Sequence, residues 1–242
     1  MLVPVGRSRQ GDSLAVAAAK VTDVTELPFL AAVRSSYDTV AEDYAELVPP
    51  LVAQDIFGRA MLAAFAEHVG GGPVADLGCG PGQITAHLNS LGVSAFGVDL
   101  SPRMVEVARR TYPNLRFEVG SMTGLDLTDG ELDGIVAWWS ILHTPPELLP
   151  LVFAEFHRTL APGGHVLVGF HVGDERLHRE HAYGHPVSHD TYLLRPERIA
   201  EMLSQAGMVV TAQLLAEGKK RPQACLLARR PMPEVDAGVG TS

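Results

Sequence analysis

Cysteine is scarce in this chain, with only Cys79 and Cys225 among 242 residues. One pair makes no disulfide framework, which excludes the stapled secreted scaffolds and suits a reducing compartment. Both cysteines are expected to be small buried residues. Long apolar runs are missing too. Leu14–Ala19 breaks at Lys20, shorter than a signal-peptide core and far short of a membrane span, so a cytoplasmic protein with no membrane partner is expected. Basic clusters are equally short. The formal net charge is -9 and the run Lys219-Lys220-Arg221 reads as a solvated loop, which argues against nucleic acid as a partner.

Against these absences stands an ordinary globular composition, 46% hydrophobic over 242 residues. That length supports one α/β domain with a substantial core and an added cap.

The most informative segment is Asp76-Leu77-Gly78-Cys79-Gly80-Pro81-Gly82, entered through Val74-Ala75 and followed by a helical stretch from Gln83. Glycines alternate where the backbone must turn sharply and let a ligand approach the main chain. The helix that follows points its free N–H groups into the same space. A dinucleotide fingerprint would need a third glycine at Gln83 or at Thr85, and a phosphate-binding P-loop would need Gly-Lys-Ser/Thr; neither is there. What remains is an acid before alternating glycines, and its carboxylate suits a ligand bearing an ammonium group. A second acid, Asp99, closes the buried strand that begins near Val93, where a carboxylate can accept both hydroxyls of a ribose. The alternative for Asp99 is a helix cap, with Ser101 competing for that position.

From about Val74, apolar runs alternate with amphipathic ones. Strands are predicted at 73–77, 94–99, 115–119, 133–138, 164–171, 207–215 and 222–229, and helices at 83–91, 102–111, 146–160 and 196–206. The pattern predicts an α/β fold, a doubly wound and mostly parallel seven-stranded sheet with helices on both faces. The last two strands read as a hairpin that adds one antiparallel edge strand. The expected division is a disordered 1–13, an N-terminal helical cap or lid over 14–72, the main domain over 73–230, and a disordered tail over 231–242.

The Asp76 turn resembles the first motif of class I, Rossmann-like S-adenosylmethionine-dependent methyltransferases, and the likeness to their small-molecule branch runs from about Val33 to Arg229. The resemblance implies S-adenosylmethionine as cofactor and a small-molecule methyl acceptor. Tyr37-Asp38-x-x-Ala41-x-x-Tyr44 is similar to the helix that folds over the cofactor in this branch; the alternative is an amphipathic helix whose tyrosines pack on the core. The implied cofactor-binding set is Tyr37, Tyr44, Asp76, Gly78, Cys79, Gly80, Asp99, Leu100, Met104, Gly120, Ser121, Met122, Ala137, Trp138 and Trp139. Ser121 stands where many relatives carry Asp. Ala137-Trp138-Trp139-Ser140 replaces the Asn/Asp-Pro-Pro-Tyr/Phe of enzymes that methylate nucleobase amines or glutamine amides, which argues against those substrates.

Methyl transfer from a sulfonium is an in-line displacement, so the protein must hold donor and acceptor in line and exclude water. A histidine near neutrality suits a base for a hydroxyl or protonated amine. His143, after the fourth strand, and His171, at the end of the fifth, are the catalytic candidates, with a structural role for His143 as the alternative. An insertion over about 172–192 is expected to wall the substrate pocket. Tyr37, Trp139, His143, His171, Tyr183 and His185 are the expected substrate contacts. His178, His181, His185 and His189 lack a recognised ligand spacing, so no metal is expected. The predicted function is methylation of an oxygen or nitrogen of a small molecule in natural-product metabolism. The competing reading keeps the cofactor and the fold in a non-methylating, pericyclase-like or assembly role.

Overall fold

The structure is a computed structural model that describes residues 27–218 and 221–233. The predicted disordered N-terminus, the start of the cap before residue 27, Lys219-Lys220 and most of the tail lie outside the described residues.

Among the described residues, two helices precede the sheet, α1 (Pro28–Gln54) and α2 (Ile56–His68). The sheet core then unfolds as β1 (Val74–Leu77), α3 (Gln83–Ser90), β2 (Ala95–Asp99), α4 (Pro102–Thr111), β3 (Phe117–Val119) and β4 (Leu132–Trp138). A short 3-10 turn (Ile141–His143) leads to α5 (Leu149–Thr159) and β5 (Leu160–His171). The remaining elements are β6 (Arg176–Ala182), β7 (His185–Tyr192), α6 (Pro196–Gln205), β8 (Val209–Ala216) and β9 (Gln223–Arg229).

Seven strands form one sheet in the order β3-β2-β1-β4-β5-β9-β8. All pair in parallel from β3 to β5, and β9 runs antiparallel to both β5 and β8. The late hairpin is therefore present, but its reversed strand is β9, one place in from the edge, and β8 is outermost. The order reverses on either side of β1. Ligands in such sheets sit at that point, beyond the carboxyl ends of the strands.

Strand alternation sorts the core into two faces. Val74, Val136, Trp138 and Leu167 pack with Met61, Leu62 and Phe65 of α2 and with Ile84 and Leu88 of α3. Their neighbours Ala75, Ile135, Ala137 and Val166 face Phe153 and Phe156 of α5 and Leu203 of α6. This pins the position of β4: Trp138 turns to one face and Ala137 to the other, inside the core.

Helix α4 shows how local sequence fixes an element. Ser101 Oγ accepts from the Met104 N–H at 3.0 Å, Pro102 opens the helix, and Arg109 and Arg110 close it against the negative end of the dipole. Ser101, and not Asp99, is thus the cap. The same hydroxyl donates to Asp38 Oδ1 at 2.6 Å, tying α1 to the start of α4.

The insertion expected over 172–192 is a two-stranded hairpin, β6 paired antiparallel with β7. Tyr183 (φ 53) and Gly184 (φ 84) form its turn, both in the left-handed region that two-residue hairpin turns require. The hairpin packs along α1, and the Ser188 N–H donates to Ser36 Oγ at 3.2 Å.

Candidate active site

The β1-to-α3 turn is held from below. The Gly78 N–H donates to the Val98 carbonyl at 2.7 Å and the Gly80 N–H to Asp99 Oδ2 at 2.8 Å. Gly78 has φ +72, and a Cβ added there would sit 2.3 Å from Ser140 Cβ. Glycine is required on both counts. Asp99 completes its shell with the Ser101 N–H at 2.8 Å, yet burial still pushes its pKa up to about 6, against the pull of those two N–H donors.

Asp76 lies deeper. It is buried and accepts the Thr85 hydroxyl at 2.6 Å, and burial pushes its pKa up to about 7 even against that bond. Thr85 is absent from the sequence-based site set; its place in the first turn of α3 is the only trace of this role. Cys79 points under the turn: a Cβ at Gly97 would meet its Sγ at 2.7 Å, and its buried thiol is pushed well above the usual range.

A cavity opens above the turn. Gly78, Gly80, Asp99 and Leu100 line one side, and Gly120, Ser121 and Met122 after β3 line another. Trp138, Trp139, Ser140, His143 and Thr144 close the end beyond β4, while α1 roofs the space with Phe29, Leu30, Val33, Tyr37 and Tyr44. Of the expected cofactor set, Asp76, Cys79, Met104 and Ala137 do not line it. Met104 is fully buried with Val40, Ala41 and Val107 between α1 and α4. Ser140 and Thr144 are lining residues absent from the sequence-based set, as are Phe29, Leu30 and Val33. The Ser140 hydroxyl is buried with no hydrogen-bond partner among the described residues.

Two of the proposed functional side chains meet directly. Tyr37 Oη lies 2.7 Å from His143 Nε2, and His143 Nδ1 lies 3.1 Å from the Asp190 carbonyl. A carbonyl only accepts, so Nδ1 carries the proton and Nε2 accepts from the tyrosine. Burial pushes the His143 pKa down to about 4, partly offset by the Asp190 carbonyl and deepened by His189 and Arg179. Tyr37 is pushed far above the usual range, chiefly by burial. At neutral pH the pair is uncharged. Its aromatic surround includes His189, 5.6 Å from the Tyr37 ring and 5.2 Å from His143, and Tyr44, 5.8 Å from Tyr37.

The other candidates sit further out. His171 stacks on Trp139, with ring centroids 4.9 Å apart, and does not line the cavity. Trp139 adopts φ 56, an unusual conformation for a bulky residue that clusters at functional sites. Tyr183 packs edge-on against Tyr44 at 5.1 Å. His185 turns away to an ion pair with Asp43 at 2.6 Å on the surface.

The fold is that of the class I, Rossmann-like methyltransferases. Residues 74–164 match the family model described as a methyltransferase domain. Among curated relatives, a demethylmenaquinone methyltransferase of Chlorobaculum parvum is 30% identical over 138 residues, covering 54% of this chain and 56% of the relative. The chain spans about half the length of the curated relatives it matches. Among solved structures, the 1,6-didemethyltoxoflavin-N1-methyltransferase of Burkholderia thailandensis, with 1,6-didemethyltoxoflavin and S-adenosylhomocysteine bound, superposes at a TM-score of 0.65. It is 21% identical, with 84% of this chain and 89% of that chain covered. The [4+2]-cyclase SpnF shares the fold at a TM-score of 0.55 and 19% identity, with 72% and 81% covered.

No helix among the described residues is long and apolar enough to cross a membrane.

Proposed function

We propose that this protein transfers a methyl group from S-adenosylmethionine to an oxygen or nitrogen of a small molecule, with natural-product metabolism as the setting. The observation that carries this reading is a single cavity with the glycine turn and Asp99 at its inner side and the Tyr37–His143 pair beneath the roof helix.

The residues present fit the cofactor. Asp99 offers a carboxylate to a ribose diol, Gly78 and Gly80 bring bare main chain to the ligand, and Ser121 and Met122 stand where an adenine edge is read. The unpartnered Ser140 hydroxyl beside Gly78 offers a further polar contact. Asp76 supports the turn from beneath through Thr85. When bound, S-adenosylmethionine supplies a methyl group on a sulfonium, already activated for displacement.

The protein's remaining tasks are orientation and proton removal. Tyr37 donates to His143 and keeps its oxygen lone pairs for an acceptor hydroxyl. As the new bond forms, the acceptor proton becomes strongly acidic, so it passes to Tyr37 Oη while the tyrosine proton moves to His143 Nε2. A base held near 4 is adequate for so acidic a proton, which favours oxygen over a basic amine as the methylated atom. The apolar roof from α1 keeps water from the donor. A protein with net charge -9 suits free small molecules better than nucleic acid.

The reading is tested by calorimetric titration with S-adenosylhomocysteine together with turnover of S-adenosylmethionine across a broad panel of small alcohols, phenols and amines. Binding that is lost in Asp99→Ala, with methylated product in the panel, is the expected result. Binding with no turnover anywhere in the panel would favour the non-methylating role, and no binding at all would remove both.

A further inference from the structure

The β6–β7 hairpin carries cations on both faces. On the outer one, Arg176 and His178 hold the Asp190 carboxylate at 2.7 and 2.9 Å. The Arg179 side chain has no hydrogen bond or ion pair with any described residue. It stands directly across from His189 in the hairpin register, and cross-strand partners share a face. His189 is buried against Tyr37 and His143, so Arg179 emerges on the side turned to the cavity.

Other groups on this side also await a partner. His171 Nδ1, His189 Nδ1 and Arg221 Nη1 are all buried with no hydrogen bond to a described residue, a condition that native proteins rarely leave unmet. Burial, the largest cause, holds His171 below its ordinary pKa, and the nearby cations Arg221 and Arg179 add to it; Arg179 acts the same way on His143 and His189. Asp190 is engaged with Arg176 and His178 and Asp43 with His185, and the neighbouring Glu180 forms no ion pair with Arg179. An uncompensated cationic face in a chain of net charge -9 calls for an anion from outside.

We propose that the methyl acceptor carries an oxyanion, a carboxylate or a phosphate ester, and that Arg179 seats it at the cavity mouth with His171 and Arg221 as neighbouring donors. This rests on the reading of the cavity as a methyl-transfer site. The guanidinium fork matches either oxyanion with two parallel hydrogen bonds. Trp139, stacked on His171 and lining the cavity, gives the organic part of the acceptor an aromatic wall. A seated anion also screens the Arg179 charge from His143, so the base strengthens when the acceptor is in place.

Trp138 and Trp139 are the chain's two tryptophans, so tryptophan fluorescence reports on this region alone. Benzoate and phenyl phosphate are titrated against benzamide and benzyl alcohol, with and without saturating S-adenosylhomocysteine. At least one anion is expected to bind saturably and about tenfold more tightly than its neutral counterpart, with the difference lost in R179Q and largely kept in R179K. Which of the two anions binds identifies the headgroup, and thermal melting checks that both variants fold. Equal binding of neutral and anionic probes, or an unchanged R179Q, overturns the proposal. So does an R179Q variant that weakens S-adenosylhomocysteine instead, since the anion would then be the cofactor's own carboxylate. If the wild type fails to bind S-adenosylhomocysteine yet shows Arg179-dependent anion binding, the methyl-transfer reading falls and the anion site stands.

Discussion

Tyr37 Oη donates to His143 Nε2 across 2.7 Å, although 106 residues separate the two in the chain. The bond joins the roof helix α1 to the turn after β4. It also fixes the imidazole tautomer, because the other ring nitrogen faces the Asp190 carbonyl at 3.1 Å. Removing either partner should therefore affect chemistry more than cofactor binding. Tyr37→Phe keeps the ring that lines the cavity, and it should lower kcat by about 100-fold while leaving the Kd for S-adenosylhomocysteine unchanged. His143→Ala should match it. A loss confined to cofactor affinity would show that the pair only closes the roof.

Asp99 gives cofactor affinity a pH dependence of definite sign. Its pKa is pushed up to about 6 by burial in the free protein, and a ribose diol donates to the ionised carboxylate. Binding thus favours loss of the proton. Affinity for S-adenosylhomocysteine should be flat above pH 7 and fall below pH 6 by up to about tenfold per pH unit. Calorimetry from pH 5 to 8 on the wild type and on Asp99→Asn checks this, since the asparagine variant should bind weakly with no step near pH 6.

The Thr85–Asp76 clasp makes a stability prediction. Asp76 is held up to about 7, so the folded state keeps its proton more tightly than the unfolded chain does. Ionisation costs stability, and this contribution declines as pH rises from about 4 through about 7. The Thr85 hydroxyl softens that cost by donating to the carboxylate. Thr85→Val should destabilise the protein by about 1–3 kcal/mol, and by more at pH 8 than at pH 6. Urea unfolding at the two pH values measures the difference, and an equal loss at both would mean that the bond is insensitive to the charge on Asp76.

His185 illustrates a reach that the sequence does not reveal. It was an expected substrate contact, but its Nε2 pairs with Asp43 on the surface, both side chains being about half exposed. Such a pair contributes about 0–1 kcal/mol. His185→Ala should melt close to the wild type and keep its kcat, and a large rise in KM would return the residue to the substrate site.

What the sequence made legible follows physical periodicity. The buried runs of β1, β2 and β4, the glycine turn and the acid ending β2 are all local patterns, and their mutual placement follows from a right-handed parallel sheet. The hairpin β6–β7 was not legible as strands, because its exposed face carries Arg176, His178 and Asp190 and its apolar face is interrupted by Arg179 and His189. Tyr183-Gly184 was its one local signal. The contacts of Ser140 and Asp38 were not legible for another reason: each acts on a segment distant in sequence, Ser140 against Gly78 and Asp38 against Ser101. A one-dimensional pattern carries no record of such contacts.

The Gly78–Ser140 contact can be tested as a coupled pair. Gly78→Ala places a Cβ 2.3 Å from Ser140 Cβ and imposes a side chain on a backbone at φ +72. The left-handed conformation alone costs about 1–2 kcal/mol, and the overlap adds to it. Ser140→Gly removes the overlapping atoms but not the backbone cost. The double variant should therefore recover part of the stability lost by Gly78→Ala, with a coupling energy of about 0.5–3 kcal/mol in a double-mutant cycle. Cofactor affinity should recover less, since the added methyl projects into the bare main chain that approaches the ligand. Strict additivity in unfolding free energy would show that the turn and the post-β4 segment move independently, and the cavity would then lack the rigid wall on which in-line positioning depends.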